Sequence, residues 1–239
     1  MIDKRRYFTY GSVNSADYEC YVFDNEVYGG SPRQYTLVDI PGRSGSLVLD
    51  DKRYANVEHS LTCVITGDFV KNFSALRTAL LSQVGYQKLT DSAFPDEFYM
   101  ALISEAIDID QVGLSRLMGT ITIIFDRKPQ RYLIQDVNGI QFTSAGTIVN
   151  PTGCEAKPLI RVNGSGNITI GIASSIVQIQ GVSSYVELDC ETMDAYKNQT
   201  SWNNKVTITG GYPVLHEGDN GIVIGEASSV IIYPRWWRL

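Results

Sequence analysis

Two histidines, four cysteines and a few close-set carboxylates are the residues of this chain whose types could do chemistry. His59 and Cys63 come nearest to a thiol–imidazole pair. They fall in an alternating strand pattern, four residues apart, which spaces them about 13 Å along one face. A nucleophile and its base need hydrogen-bond reach. Asp189-Cys-Glu-Thr-Met-Asp194 gathers three carboxylates. Such a cluster could be half of a Ca²⁺ site, because hard cations take several oxygens. It could also supply the acid of a glycosidase, which needs two carboxylates across a sugar bond. EF-hand spacing and a second acidic segment are missing, so the expected reading is a solvated turn after the strand pattern Tyr185 to Leu188. Asp50-Asp51 and Asp108-Ile-Asp110 read as turn or edge charges. Gly164-Ser-Gly166 lacks the following helix that an anion site needs and reads as a hairpin turn. Cys20, Cys63, Cys154 and Cys190 lie far apart without a C-x-x-C and read as buried thiols in a reducing compartment. No nucleophile elbow, H-E-x-x-H helix or P-loop occurs. The expectation is a protein that is not an enzyme, with no catalytic residue, no cofactor and no metal.

Charge narrows the partners. The 239 residues carry a formal charge of −6, with 13 basic against 17 acidic residues in 1–130 and 7 against 9 in 131–239. Neither half offers a basic stripe to grip nucleic acid. An acidic surface lets DNA slide past without sticking. No run of eighteen apolar residues predicts a membrane span. The start, Met1-Ile-Asp-Lys-Arg-Arg-Tyr, has no apolar stretch behind its charges and does not read as a signal peptide. Synthesis in a cytoplasm is expected.

The elements that must position these residues are mostly strands. Tyr35 to Leu49 reads as two short strands around the turn Pro41-Gly-Arg-Ser-Gly45, and Pro41 to Tyr54 as a long hairpin with a charged tip. Exposed hairpin edges invite pairing with a neighbour. Val57 to Ile65 alternates through Leu61, Cys63 and Ile65. Leu117, Ile121, Ile123 and Phe125 share a face at period two, with Gly119 between them. One helix is expected over about 68–84, capped by Asp68, with Val70, Phe73, Leu76 and Leu80 as its apolar stripe and Gly85 as its stop. Asp126-Arg-Lys-Pro-Gln-Arg131 reads as a linker. Beyond it, short strands are expected at Ile168 to Ile172, Ile176 to Ile179, Tyr185 to Leu188, Val206 to Thr209 and Ile222 to Ile224. Asn163-Gly164, Gly210-Gly211 and Asp219-Asn-Gly221 are read as the turns between them. The fold class is therefore mostly β: residues 1–130 form a mixed β domain with one helix and a long hairpin, and residues 131–239 a β-sandwich.

The closing run Val230-Ile-Ile-Tyr-Pro-Arg-Trp-Trp-Arg-Leu239 sets two tryptophans between arginines. Such rings must bury, either in the chain's own core or against another chain, and Trp236 and Trp237 stay candidates for both. Trp202 could offer a stacking platform to a sugar or pack at a turn.

The order of several segments resembles the distal tail protein family of siphophages, often called Dit. Ile40 to Tyr54 looks like the family's strand, Pro-Gly-Arg-x-Gly turn and strand. Asp68 to Gln83, Gln87-Lys-Leu-Thr-Asp-Ser92 and Glu97 to Ile103 resemble its helix-then-strands segment. Lys157-Pro-Leu-Ile-Arg-Val-Asn-Gly164 looks like the opening of its C-terminal sandwich. Tyr185-Val-Glu-Leu-Asp189 with Tyr196, Tyr212 to Asn220, and Tyr233-Pro-Arg-Trp-Trp-Arg238 are similar to its later stretches. The resemblance implies a homo-hexameric ring at the distal end of a tail tube, in the virion. That ring would join the tube protein to tail-tip, baseplate or receptor-binding proteins, with DNA passing through its lumen unbound. It implies a ring-forming first domain whose hairpin, within residues 35–60, reaches a neighbour. Arg43, Gly45, Arg53, Tyr54, Trp236 and Trp237 are the expected oligomer or partner contacts. It also implies a galectin-like or carbohydrate-module-like second domain outside the ring. A carbohydrate-binding module that adsorbs to host wall polysaccharide is the alternative function.

Overall fold

The computed structural model describes residues 6–23, 29–113 and 116–239; the charged start Met1 to Arg5 lies outside them. The chain is mostly β and divides into two compact units, one of residues 1–131 with Leu239, the other Tyr132–Arg238.

The first unit contains β1 (Phe8–Tyr10), β2 (Val13–Asn14), β3 (Cys20–Val22), β4 (Arg33–Asp39), β5 (Ser46–Tyr54), β6 (Val57–Thr66), α1 (Phe69–Leu81), β7 (Gln87–Asp91), β8 (Glu97–Ile103), β9 (Asp108–Val112) and β10 (Met118–Arg127). Its main sheet runs β2-β1-β7-β8-β10-β6-β3, with β9 on β10. The central pair is β6 with β10, antiparallel from Val57↔Arg127 to Thr66↔Met118. Alternation sends Leu61, Cys63, Ile65, Ile121, Ile123 and Phe125 to one buried face. Asp68 caps α1 by accepting from the Lys71 N–H at 3.2 Å. The helix lays Phe69, Phe73, Leu76 and Leu80 into the same core. Val70, expected in the stripe, is exposed, because Phe69 holds the buried position one residue earlier. Leu117 is also exposed: β10 starts at Met118, after Arg116 takes a left-handed φ of 55°. Asp126 and Arg127 belong to β10 rather than to a linker, and Lys128 N–H donates to Met100 O at 2.8 Å.

β4 and β5 stand apart as a two-stranded sheet of their own. Gly42 and Gly45, with φ of +81° and +83°, turn the chain between them.

The second unit contains β11 (Arg131–Leu133, from its second residue), β12 (Ile140–Phe142), β13 (Gly146–Asn150), β14 (Leu159–Ile172), β15 (Ser175–Asp189), β16 (Asp194–Lys197), β17 (Thr200–Ser201), β18 (Val206–Thr209), β19 (Gly218–Val223), β20 (Ser229–Tyr233) and β21 (Trp237–Arg238). The sheet order is β12-β20-β14-β15-β16-β17, with β18 on β15 and β19 bridging β14 to β13. Its spine is the hairpin β14–β15, paired from Leu159↔Asp189 to Ile172↔Ser175. Strands expected as separate are thus halves of longer ones. Asn163-Gly164 and Gly164-Ser-Gly166 are not turns: the strand continues through them, with a register shift between Gly166 and Ile168. Glycine there bends a strand without reversing it. Asp219-Asn-Gly221 likewise lies in β19, opposite Val149, Ile148 and Thr147. The Asn220 amide is buried and satisfies the backbone of the preceding bend at His216 and Gly218.

Candidate functional site

Burial removes the catalytic candidates. His59 is buried beside Phe8, Leu61, Leu89, Asp91 and Tyr99, around a void of about 10 Å³, room for roughly one water. Desolvation, with Arg127 adding to it, lowers its pKa to about 4. Cys63 is raised well above the usual thiol range, first by its hydrogen bond with Cys20 and then by burial. Its Sγ donates to Leu61 O at 3.7 Å. A neutral imidazole and a protonated thiol on separate partners do not make a nucleophile. Cys190 is buried too, whereas Cys154 is only half-buried; all four thiols are free.

Asp189 has a structural partner. Burial pushes its carboxyl up, but the two-pronged bond from Arg235, at 2.8 and 2.9 Å, and the N–H groups of Glu191 and Thr192 outweigh that and lower it. Asp194 accepts from Asn203 Nδ2 at 2.9 Å. Among the described residues, no group of three or more His, Cys, Asp or Glu is placed to hold a metal. No described helix is long and apolar enough to cross a membrane.

The terminal aromatics are spoken for within the second unit. Trp236 is 1% exposed inside its apolar cluster, and its Nε1 donates to Asp136 at 3.2 Å. Trp237 packs on the same cluster and donates to Glu155 O at 2.9 Å. That burial takes the Trp236 ring out of any surface a partner could read. Trp202 also leans on the cluster, and Lys205 Nζ lies 4.2 Å from the centre of its ring, over one face.

The surface that remains is the β4–β5 ribbon. The register Tyr35↔Asp50, Thr36↔Leu49, Leu37↔Val48, Val38↔Leu47, Asp39↔Ser46 fixes which residues share a face. One face carries Tyr35, Leu37 and Val48, and the other Val38, Leu47 and Leu49. Both are open: Leu37 is 57% exposed, Val48 58% and Leu49 50%. Polar ties hold the ribbon in shape. Arg33 pairs with Asp50, Nε to Oδ1 at 3.0 Å, and lies over the Tyr54 ring at 5.8 Å. The Arg33 bond, with the Lys52 N–H, lowers the Asp50 carboxyl to about 2. At the other end, Ser46 Oγ donates to Asp39 at 2.6 Å. Arg43 and Arg53 are exposed, Gly45 is in the turn, and Tyr54 is half-buried at the base. Among the expected contacts, four therefore gather on this ribbon, and the tryptophans belong to the other unit. The apolar residues of the ribbon were not among the expected contacts. The signal for them is the unbroken runs Leu37-Val38 and Leu47-Val48-Leu49, which mark strands covered on both faces.

No protein-family model matches this sequence, and no curated protein does. Among solved structures, the fold is similar to that of the Dit protein (gp 19.1) of phage SPP1, described as a paradigm of the hub adsorption apparatus in phages infecting Gram-positive bacteria. The TM-score is 0.71 at 13% identity, over 96% of this chain and 98% of that one.

Proposed function

We propose that this chain is a structural subunit of a phage tail. Six copies close into a ring at the distal end of the tail tube, join the tube to tail-tip or baseplate proteins, and leave a lumen through which DNA passes. The likeness to the SPP1 hub protein along nearly the whole of both chains carries the reading. The first unit makes the ring and the second carries contacts to other tail proteins. Its work is binding, not chemistry.

The ribbon gives the reading physical support. A two-stranded ribbon alone in water is marginal, and one apolar on both faces needs cover that the described residues of its own chain do not give. A neighbouring copy supplies that cover in a head-to-tail contact, which closes into a ring when the rotation per subunit allows. The formal charge of −6 keeps phosphates from adhering as DNA moves past. Light scattering on the purified chain should give six times its 26.5 kDa mass, and images of the particle should show a six-fold ring at the end of the tube. A stable monomer at high concentration, recruited by neither tube nor tip protein, would sink the reading.

A further inference from the structure

We infer that the ribbon of one copy docks along β9 of the next; this rests on the ring reading and names the surface that receives the ribbon. β9 pairs with β10 alone, so among the described strands its outer edge is open. Its register with β10 sets Ile109 opposite Ile121 and Val112 opposite Gly119. Ile121 and Gly119 belong to the buried face beneath α1, where the Gly119 backbone approaches the Phe69 ring. Ile109 and Val112 therefore stand on the core face of the sheet, yet both are exposed. The apolar face runs out past its cover.

The two surfaces carry net charges of opposite sign. Around β9 lie the exposed carboxylates of Glu105, Asp108 and Asp110. Asp110 accepts from Thr122 at 2.8 Å, which holds it in place at the bulge between Ile109 and Gln111. On the ribbon, Asp50 is neutralised by Arg33, and the exposed cations Arg43, Lys52 and Arg53 outnumber the exposed carboxylates Asp39 and Asp51. An apolar ribbon with an excess of cations fits an apolar margin with an excess of carboxylates. Each surface stays exposed in the single chain, so the occupant is a second copy. Because donor and acceptor surfaces differ, the contact repeats around a ring and does not end at a dimer.

Charge reversal in the full chain tests this, read by sedimentation velocity, with circular dichroism to confirm folding. Arg43→Glu with Arg53→Glu, and separately Asp108→Arg with Asp110→Arg, should each weaken self-association about tenfold or more. A mixture of the two variant chains should recover much of it, because alternating copies set an acidic ribbon on a basic β9 and a basic ribbon on an acidic β9. The chain carrying all four substitutions should recover most of the lost affinity. If reversal at β9 leaves assembly at the wild-type level while reversal on the ribbon breaks it, the ribbon seats elsewhere; this inference falls and the ring stands. If the four-fold variant fails to recover, complementarity between these surfaces is wrong. A wild-type chain that sediments as a monomer at every concentration overturns both readings.

Discussion

Gly119 lies where β10 passes beneath α1. A Cβ there would sit 2.5 Å from the Phe69 ring and 2.6 Å from Gln111 O. Neither can retreat far, since Phe69 is buried and Gln111 is part of the β9 ladder. Gly119→Ala should destabilise the first unit by about 1–3 kcal/mol, measured as a lowered denaturation midpoint. His59 gives a pH dependence with a definite sign. Its folded pKa, about 4, lies below the 6.5 of the unfolded chain. Between those values the unfolded state binds a proton that the folded state refuses, so stability falls as pH drops through this window and is flat above it. Denaturation midpoints from pH 7 to pH 4 should decline by up to about 3 kcal/mol, and His59→Gln should flatten that part of the profile. No change of slope in the variant would remove His59 as the cause.

The elements differ in how readily the sequence betrays them. Helix α1 follows from one cap and one stripe, with Phe69 in place of Val70 as its first buried residue. The β6 and β10 alternation is legible because one face is buried and the other is not. The ribbon is legible as a hairpin from its turn residues. Its two-faced exposure is less so, because contiguous apolar residues describe a covered strand whatever molecule covers it. The β14–β15 hairpin is the least legible of the elements. Asn163, Gly164 and Gly166 are the residues of turns, and only the partner strand reveals that they bend a ladder that goes on. At this scale the ribbon is separable from the core. It shares no sheet with the other strands of its unit. Replacing residues 35–52 with a short Gly-Ser linker should leave the melting temperature within about 2 °C while abolishing the oligomer in light scattering. A large loss of melting temperature would mean that the ribbon supports its own unit.

For the whole molecule, the proposed passage of DNA makes a prediction about charge. Acidic residues outnumber basic ones in both halves of the chain, 17 to 13 in residues 1–130 and 9 to 7 in residues 131–239. The full chain should therefore leave duplex DNA unshifted in a gel even at about 50 mM salt, where phosphate contacts are strongest. A shift that vanishes with added salt would contradict the proposed lumen. Sugar adsorption finds less support than assembly does. Trp236 is consumed in the core, and Trp202 has one ring face covered by Lys205.

The bent β14–β15 ladder also bears on how the second unit comes to exist. Its pairs all close around one short reversal at Ala173 and Ser174. Each added pair then encloses only a slightly larger loop than the last, so the search entropy rises in small steps. Zipping outward from that reversal is a microsecond-scale event for a hairpin. The partners β20 and β19 arrive from more than forty residues downstream of the reversal, and distant pairing of that kind is slow. The ladder is therefore suited to act as the nucleus on which the slower strands condense. Substitutions near Ala173 should then act mainly on how fast this unit folds, and those in β20 mainly on how long it stays folded.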